Sequence, residues 1–408
     1  MNQELKDRIY TIKDWHLYAA ITLSSYIYAC FIVTDAFYYR VIAFVFAFAF
    51  LALLPLYILE RRHSFFKPNG VQARIWFFLF TFLTLIPLAY SIQGDPRSLV
   101  TLAFHPLAFL AFFISVVALT VTTKTKDTIL KFSSIVNNCL PFAIVADYLF
   151  NGKPAGINEL HFFLFIEIIF YDQLKKRRRL YLLLLVLAII VLQVIADNRM
   201  VAIRLIVVSS ALIGFKMIPF LANKALRFIA LVGGIILFYL LAFEFESTFQ
   251  FFTDYLQQLS IDPTDTRSFL YVEFFEDFKG LDWLGGKGYM GSYFSPWFYE
   301  WQGDDGDHFQ RFSIEVGALE FLLKGGLLLL IPFYLLLIGC LFIGFVKAPV
   351  NSAAFRFSVF LLVQFMITSI ENSPMFSINY MLIWLSMGII IVDTTMKKKK
   401  VPAYVGNL

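Results

Sequence analysis

Arg199 closes the short turn Ala196-Asp197-Asn198-Arg199 between two apolar runs, and Arg204 lies about one helical turn further into the second run. A guanidinium inside an apolar run is costly, so its position asks for a reason. One reason is an anion at the membrane surface, because guanidinium groups bind phosphate oxygens in bidentate fashion. The bland alternative is an Arg199 to Asp197 surface pair with Arg204 snorkelling to the interface. Further on, Pro263 and Asp265 precede Arg267, which opens Arg267-Ser268-Phe269-Leu270-Tyr271-Val272-Glu273-Phe274-Phe275. That stretch reads as a capped, aromatic-rich helix lying on a bilayer surface, with Arg267 as an anion ligand or a headgroup anchor. A third cluster is Asp304-Asp305-Gly306-Asp307-His308, followed by Arg311 and Glu315. A helix starting near His308 would put His308, Arg311 and Glu315 on one stripe. His308 or Glu315 would then serve as a general base for a hydroxyl while arginines take up the charge of a departing phosphate. The alternative is an ordinary Arg311 to Glu315 helix pair beside a solvated histidine. The acidic run has neither calcium-loop spacing nor a two-histidine zinc motif, so no metal and no cofactor are expected. Gly285-Gly286-Lys287-Gly288-Tyr289-Met290-Gly291 is glycine-rich but lacks the strand and helix context of a phosphate-binding loop.

The elements that must position these residues are membrane spans. The 408 residues are 59% hydrophobic and 15% charged, with a mean hydropathy of +0.73, whereas soluble domains carry about 25% charged residues. That excludes an ordinary soluble enzyme. Apolar runs of spanning length lie near residues 16 to 34, 41 to 59, 73 to 92, 99 to 122, 129 to 150, 157 to 171, 180 to 196, 200 to 219, 226 to 244, 314 to 345, 356 to 371 and 376 to 393. The expected fold is therefore an all-α integral membrane protein, one polytopic domain over residues 1–408 with about 12 transmembrane helices. Cys30, Cys139 and Cys340 fall inside apolar runs, where neither a disulfide framework nor a close-spaced zinc site can form. No small-residue cleavage pattern follows the first run, so it is expected to act as an uncleaved anchor.

With the N-terminus cytoplasmic, 24 of the 34 Lys and Arg residues fall on the inner side. The run Lys175 to Arg179 and the tail Lys397 to Lys400 are the densest of these segments. Both termini are then cytoplasmic, and residues 245–313 form one large periplasmic loop containing short amphipathic helices. Positive charge spread over separate loops does not suit nucleic acid, which is not an expected partner. A long loop holding Trp283, Trp297 and Trp301 is unlike a flexible linker.

Three features together resemble the superfamily of O-antigen polymerases and O-antigen ligases: the Asn198-Arg199 turn; the long loop with Asp265-Thr266-Arg267 and Gly285-Gly286-Lys287-Gly288; and Glu315-Val316-Gly317 leading to Leu323-Lys324-Gly325-Gly326-Leu327. The resemblance covers about the second half of the chain plus the topology. It implies a glycosyltransferase of the bacterial inner membrane, working on the periplasmic side. The donor would be an undecaprenyl-pyrophosphate-linked oligosaccharide, the acceptor a glycan, with membrane lipid and a chain-length regulator protein as further partners. Arg199, Arg204, Arg267 and Arg311 would bind the pyrophosphate, and His308 or Glu315 would be the base. His308 stands further upstream of Gly325 than the family histidine does, and this favours polymerase over ligase, whose histidine motif is clearer. A lipid-linked oligosaccharide flippase has a similar span count, but it would show broken helices and paired charges deep in both halves. A non-enzymatic assembly partner presenting the loop would tolerate loss of Arg199 or Arg267.

Overall fold

In a bilayer every backbone N–H and C=O must be satisfied within the protein, so apolar runs of this length become helices. The computed structural model describes residues 3–34, 38–39, 41–43, 45–49, 52–53, 71–91, 115, 117–118, 121–122, 124–152, 157–196, 198–215, 218–244, 268–296, 310–314, 316–369 and 377–397. About half of the expected span 41 to 59 and most of the expected span 99 to 122 lie outside the described residues, as do Arg267, Asp304 to His308, and Glu315.

The chain begins with α1 (Gln3–Thr34), followed by α2 (Val71–Leu83) and α3 (Leu85–Ser91), which continue one another across Thr84. Next come α4 (Thr125–Asn151), the short α5 (Ile157–Leu160) and α6 (Phe162–Ile169), α7 (Lys176–Ile195), α8 (Arg199–Gly214) and α9 (Lys224–Phe243). The loop contributes α10 (Ser268–Asp277), α11 (Asp282–Gly285) and a two-stranded antiparallel pairing of β1 (Tyr293–Phe294) with β2 (Gln310–Arg311). The chain closes with α12 (Gly317–Leu341), extended by a π-helical turn to Lys347, then α13 (Ala353–Ile367) and α14 (Ile378–Lys397). Among the described residues, five helices are long and apolar enough to cross a membrane, and three apolar helices are shorter. The protein is an all-α membrane protein.

Basic residues near the starts of α7, α9 and α13 meet on one face. Arg178 at the start of α7 donates to Glu167 of α6 at 2.6 Å and to the Ser134 hydroxyl of α4 at 3.0 Å. Arg227 near the start of α9 donates to the carbonyls of Phe345 and Ala348 at 2.7 and 2.8 Å. Arg356 of α13 pairs with Asp172 and donates to the Ile169 carbonyl. Basic residues from which the sidedness of the chain is expected also stitch the helix ends together. The core is aromatic: Trp384 of α14 is fully buried against Phe77, Phe80 and Phe333.

The sixth expected span is the shortest, and α5 with α6 covers only about 20 Å at 1.5 Å per residue, against a hydrocarbon core of about 30 Å. Every residue from Leu160 to Phe170 is buried, so this segment touches protein on all sides. Two carboxylates fix its N-terminal end. Asp147 of α4 accepts the Ile157 N–H at 3.0 Å and the Tyr26 hydroxyl of α1 at 2.9 Å. Glu159 accepts the Ile378 N–H at 3.1 Å, tying α5 to the first residue of α14.

Candidate functional site

Two glycine motifs far apart in sequence meet in space. Gly326 breaks α12 with φ +59° and ψ −163°, a conformation open only to glycine. The break turns the Leu323 carbonyl toward the loop, where it accepts the Lys287 N–H at 2.7 Å. Gly286, itself at φ +69°, lies so close that a Cβ on it would fall 2.7 Å from the Gly326 nitrogen. Gly288, at φ +81°, sits against Ser91 at the end of α3. The Ser91 hydroxyl accepts the Tyr289 N–H at 2.8 Å and donates to the Pro87 carbonyl at 2.8 Å. Tyr289 is buried, which pushes its phenol well above the ordinary tyrosine value, and its hydroxyl donates to the Thr84 carbonyl at 3.2 Å. The Gly285 to Gly291 stretch is thus a docking element that seats the loop on α3 and α12.

The first ten residues of α12, Gly317 to Gly326, are all buried, because the loop wraps them. Leu270, Phe274 and Phe278 form a core with Tyr293, Ile314, Val316, Leu319, Leu322 and Leu323. The aromatic helix expected to lie on the bilayer is present as α10, but its Leu270 and Phe274 face are spent on this core. Tyr271 adds a tie to the bundle by donating to the Leu241 carbonyl of α9 at 3.2 Å.

Inside the wrapped segment, Glu320 and Lys324 stand one turn apart and are both buried. Lys324 Nζ donates to the Gly291 carbonyl at 3.0 Å and also to the Phe312 carbonyl. Glu320 Oε2 accepts the Ile314 N–H at 3.0 Å. These two side chains therefore hold both legs of the segment bracketed by β1 and β2. Lys287 pairs with Asp277 at 2.5 Å, and the same Asp277 oxygen accepts the Phe294 N–H at 3.0 Å. Ser295 donates to Glu273 at 2.6 Å on the other side of β1. Both lysines belong to the internal bonding of the loop.

Arg311 lies in β2, where it pairs with Tyr293, and α12 begins only at Gly317 after an extended Val316. The single helical stripe expected for His308, Arg311 and Glu315 is therefore corrected: strand pairing to β1 takes Arg311, and the helix starts after Glu315. His308, Glu315 and Arg267 lie outside the described residues. Arg199 is the first residue of α8, with its backbone described and its side chain not.

Arg204 is 7% exposed, on α8, with its guanidinium over the Phe162 ring at 5.1 Å. The Glu159 carboxyl and the His161 ring lie within its electrostatic reach. His161 is fully buried; its Nδ1 stands 3.1 Å from the Ile157 carbonyl, which can only accept, so Nδ1 carries the proton and Nε2 faces the interior as a lone pair. Gln193 of α7 donates to Asn158 at 2.9 Å, and Asn379 of α14 donates to Gln364 of α13 at 3.1 Å. A polar cluster thus sits in the membrane on the loop side of the bundle. Charge in such a place is usually retained for function. His161 and Gln193 are polar residues inside apolar runs of the sequence, a signal that could have found them, whereas Asn158, Glu159 and Ser91 carry none of their own. Glu320 with Lys324 was readable as an i,i+4 pair inside an apolar helix.

No family model matches this chain, and neither the curated proteins nor the solved structures contain a match to it.

Proposed function

We propose that this protein polymerises undecaprenyl-pyrophosphate-linked oligosaccharide repeat units into a surface polysaccharide on the periplasmic side of the bacterial inner membrane. The observation that supports this reading is a clamp: Lys324 donates to the Gly291 and Phe312 carbonyls and Glu320 accepts the Ile314 N–H, at the two ends of a stretch whose sequence contains His308. Fixed ends suit a stretch that must meet a lipid-borne substrate.

A lipid pyrophosphate brings its own energy, which a compartment without nucleotide sugars requires. In the proposed step an acceptor hydroxyl oxygen attacks the anomeric carbon opposite the pyrophosphate. The new C–O bond forms as the bond to the pyrophosphate oxygen breaks, inverting the anomeric centre. The hydroxyl proton passes to His308 or Glu315. Arg199, Arg204, Arg267 and Arg311 take up the charge on the departing lipid pyrophosphate. The products are a longer glycan and free lipid pyrophosphate.

The test replaces Arg199 and Arg267 separately with Ala and with Lys in the native host, with membrane levels checked and surface glycan run on a gel. Collapse of the ladder to single-repeat product with Arg267→Ala and Arg267→Lys supports polymerisation with bidentate phosphate binding. Accumulation of long lipid-linked chains without transfer to lipid A core makes the protein a ligase instead. An unchanged ladder overturns the catalytic reading.

A further inference from the structure

The loop carries an apolar edge that its own core does not use. Leu281, Trp283 and Leu284 of the α11 segment are 70%, 39% and 50% exposed, one before and two after Asp282 and just before the docked Gly285-Gly286. Trp283 is held rather than loose: its ring stacks on Phe275 with centroids 5.8 Å apart and planes 7° apart, and meets Phe278 edge-on at 5.4 Å.

Two independent helices give the height of this edge. Along α12 and its π-helical turn, Gly326 lies 21 residues from Lys347, about 31 Å at 1.5 Å per residue. Along α2 and α3, Ser91 lies 17 residues from Arg74, about 26 Å by the same measure. The Lys347 end lies on the basic face, where Arg227 bonds Phe345 and Ala348; the sequence pattern assigns Arg74 to the same face, and the hydrocarbon core is about 30 Å thick. The loop docks on Gly326 through Gly286 and on Ser91 through Gly288, so α11 sits at the far boundary of the hydrocarbon. Directly below that level both docking helices expose apolar side chains, Ile331 and Leu335 on α12 and Phe82 and Leu85 on α2 and α3. Exposed Leu281, Trp283 and Leu284 continue that lipid-facing belt upward to the level where tryptophan prefers to lie.

We propose that Leu281, Trp283 and Leu284 form an interfacial wedge seated among the acyl chains of the leaflet on the loop side. The wedge is a third attachment of the loop, to lipid, beside its attachments to α3 and α12. It does not depend on the reaction proposed above, because it follows from exposure and height alone.

The test uses the full chain in nanodiscs, with Cys139→Ala as background, since Cys30 and Cys340 are buried. Leu281→Cys is labelled with bimane, and emission is read with lipids brominated near the acyl carbonyl end and, separately, with aqueous iodide. The expected result is at least a twofold loss of emission with brominated lipid and little loss with iodide. Quenching by iodide alone overturns the proposal, and so does protection from both, which would mean a protein covers the edge. Where the labelled variant fails to fold, Trp283→Phe in the native sequence gives a difference spectrum. The Trp283 component must then be blue-shifted and quenched by brominated lipid, and a red-shifted, iodide-quenched component overturns the wedge.

Discussion

Gly286 and Gly326 meet backbone to backbone, each with a positive φ and each leaving no room for a Cβ on the other. Gly326→Ala places a side chain in a glycine-only conformation and against Gly286, and is expected to cost about 2 to 4 kcal/mol from strain and overpacking together. Hydrogen exchange checks it: amides from Lys287 to Gly291 should lose protection while those of α7 keep theirs. Unchanged protection of the loop would mean that docking does not depend on this contact.

Lys324→Met removes the donor to Gly291 and Phe312 and leaves the Glu320 carboxylate buried without its cation. Breaking a buried pair from one side costs about 3 to 5 kcal/mol. The double change Glu320→Gln with Lys324→Met is expected to recover part of that loss. Thermal unfolding in detergent for the four members of the cycle measures it, and strictly additive losses would show that the two side chains act separately.

Lys287→Met is expected to behave differently. Lys287 and Asp277 are both partly solvent-exposed, so their pair is worth about 1 kcal/mol. Under the proposed reaction this substitution leaves lipid-pyrophosphate affinity unchanged, whereas Arg199→Ala weakens it at least tenfold. Titration of purified protein in nanodiscs with undecaprenyl pyrophosphate compares the two, and equal losses would place Lys287 at the phosphate.

Arg204 divides the two readings of its role. Arg204→Met is expected to cost about 2 kcal/mol, less than a fully buried pair because Glu159 is only half-buried. Adding Glu159→Gln restores stability if Arg204 serves only to balance that carboxylate. Polymer length then decides the matter: restored stability with restored polymer makes Arg204 structural, and restored stability with no polymer makes it a phosphate ligand.

The spans were legible because lipid leaves helices as the one way to satisfy an isolated apolar run, so Thr125–Asn151, Lys176–Ile195 and Ile378–Lys397 fall within a few residues of expectation. The helix after Arg267 was legible from its aromatic residues, but the face it buries was not. Its apolar positions suit a bilayer surface and the flank of α12 equally well, and only the long-range arrangement chooses. Gly325-Gly326 inside an apolar run carries no mark that separates a close helix contact from a break. Lys287, in the glycine-rich stretch, and Lys324, in Leu323-Lys324-Gly325-Gly326-Leu327, carry no local mark of their partners. Their bonding to Asp277, Gly291 and Phe312 depends on a fold that brings residues 277 to 324 onto one helix, which no local pattern encodes.

The enclosed segment α5–α6 bears on how the protein is made. A helix of that length is too short to be held by lipid alone, and from Leu160 to Phe170 it offers no side chain to lipid. Its Glu167 and Asn158 find partners in Arg178 and Gln193 of α7, which is synthesised later. α5–α6 is therefore expected to enter the membrane only once α7 follows it. Truncation after Ile169 should yield a chain whose sixth span is not integrated, and glycosylation-site mapping of such truncations would register the moment at which Arg178 arrives and the segment crosses.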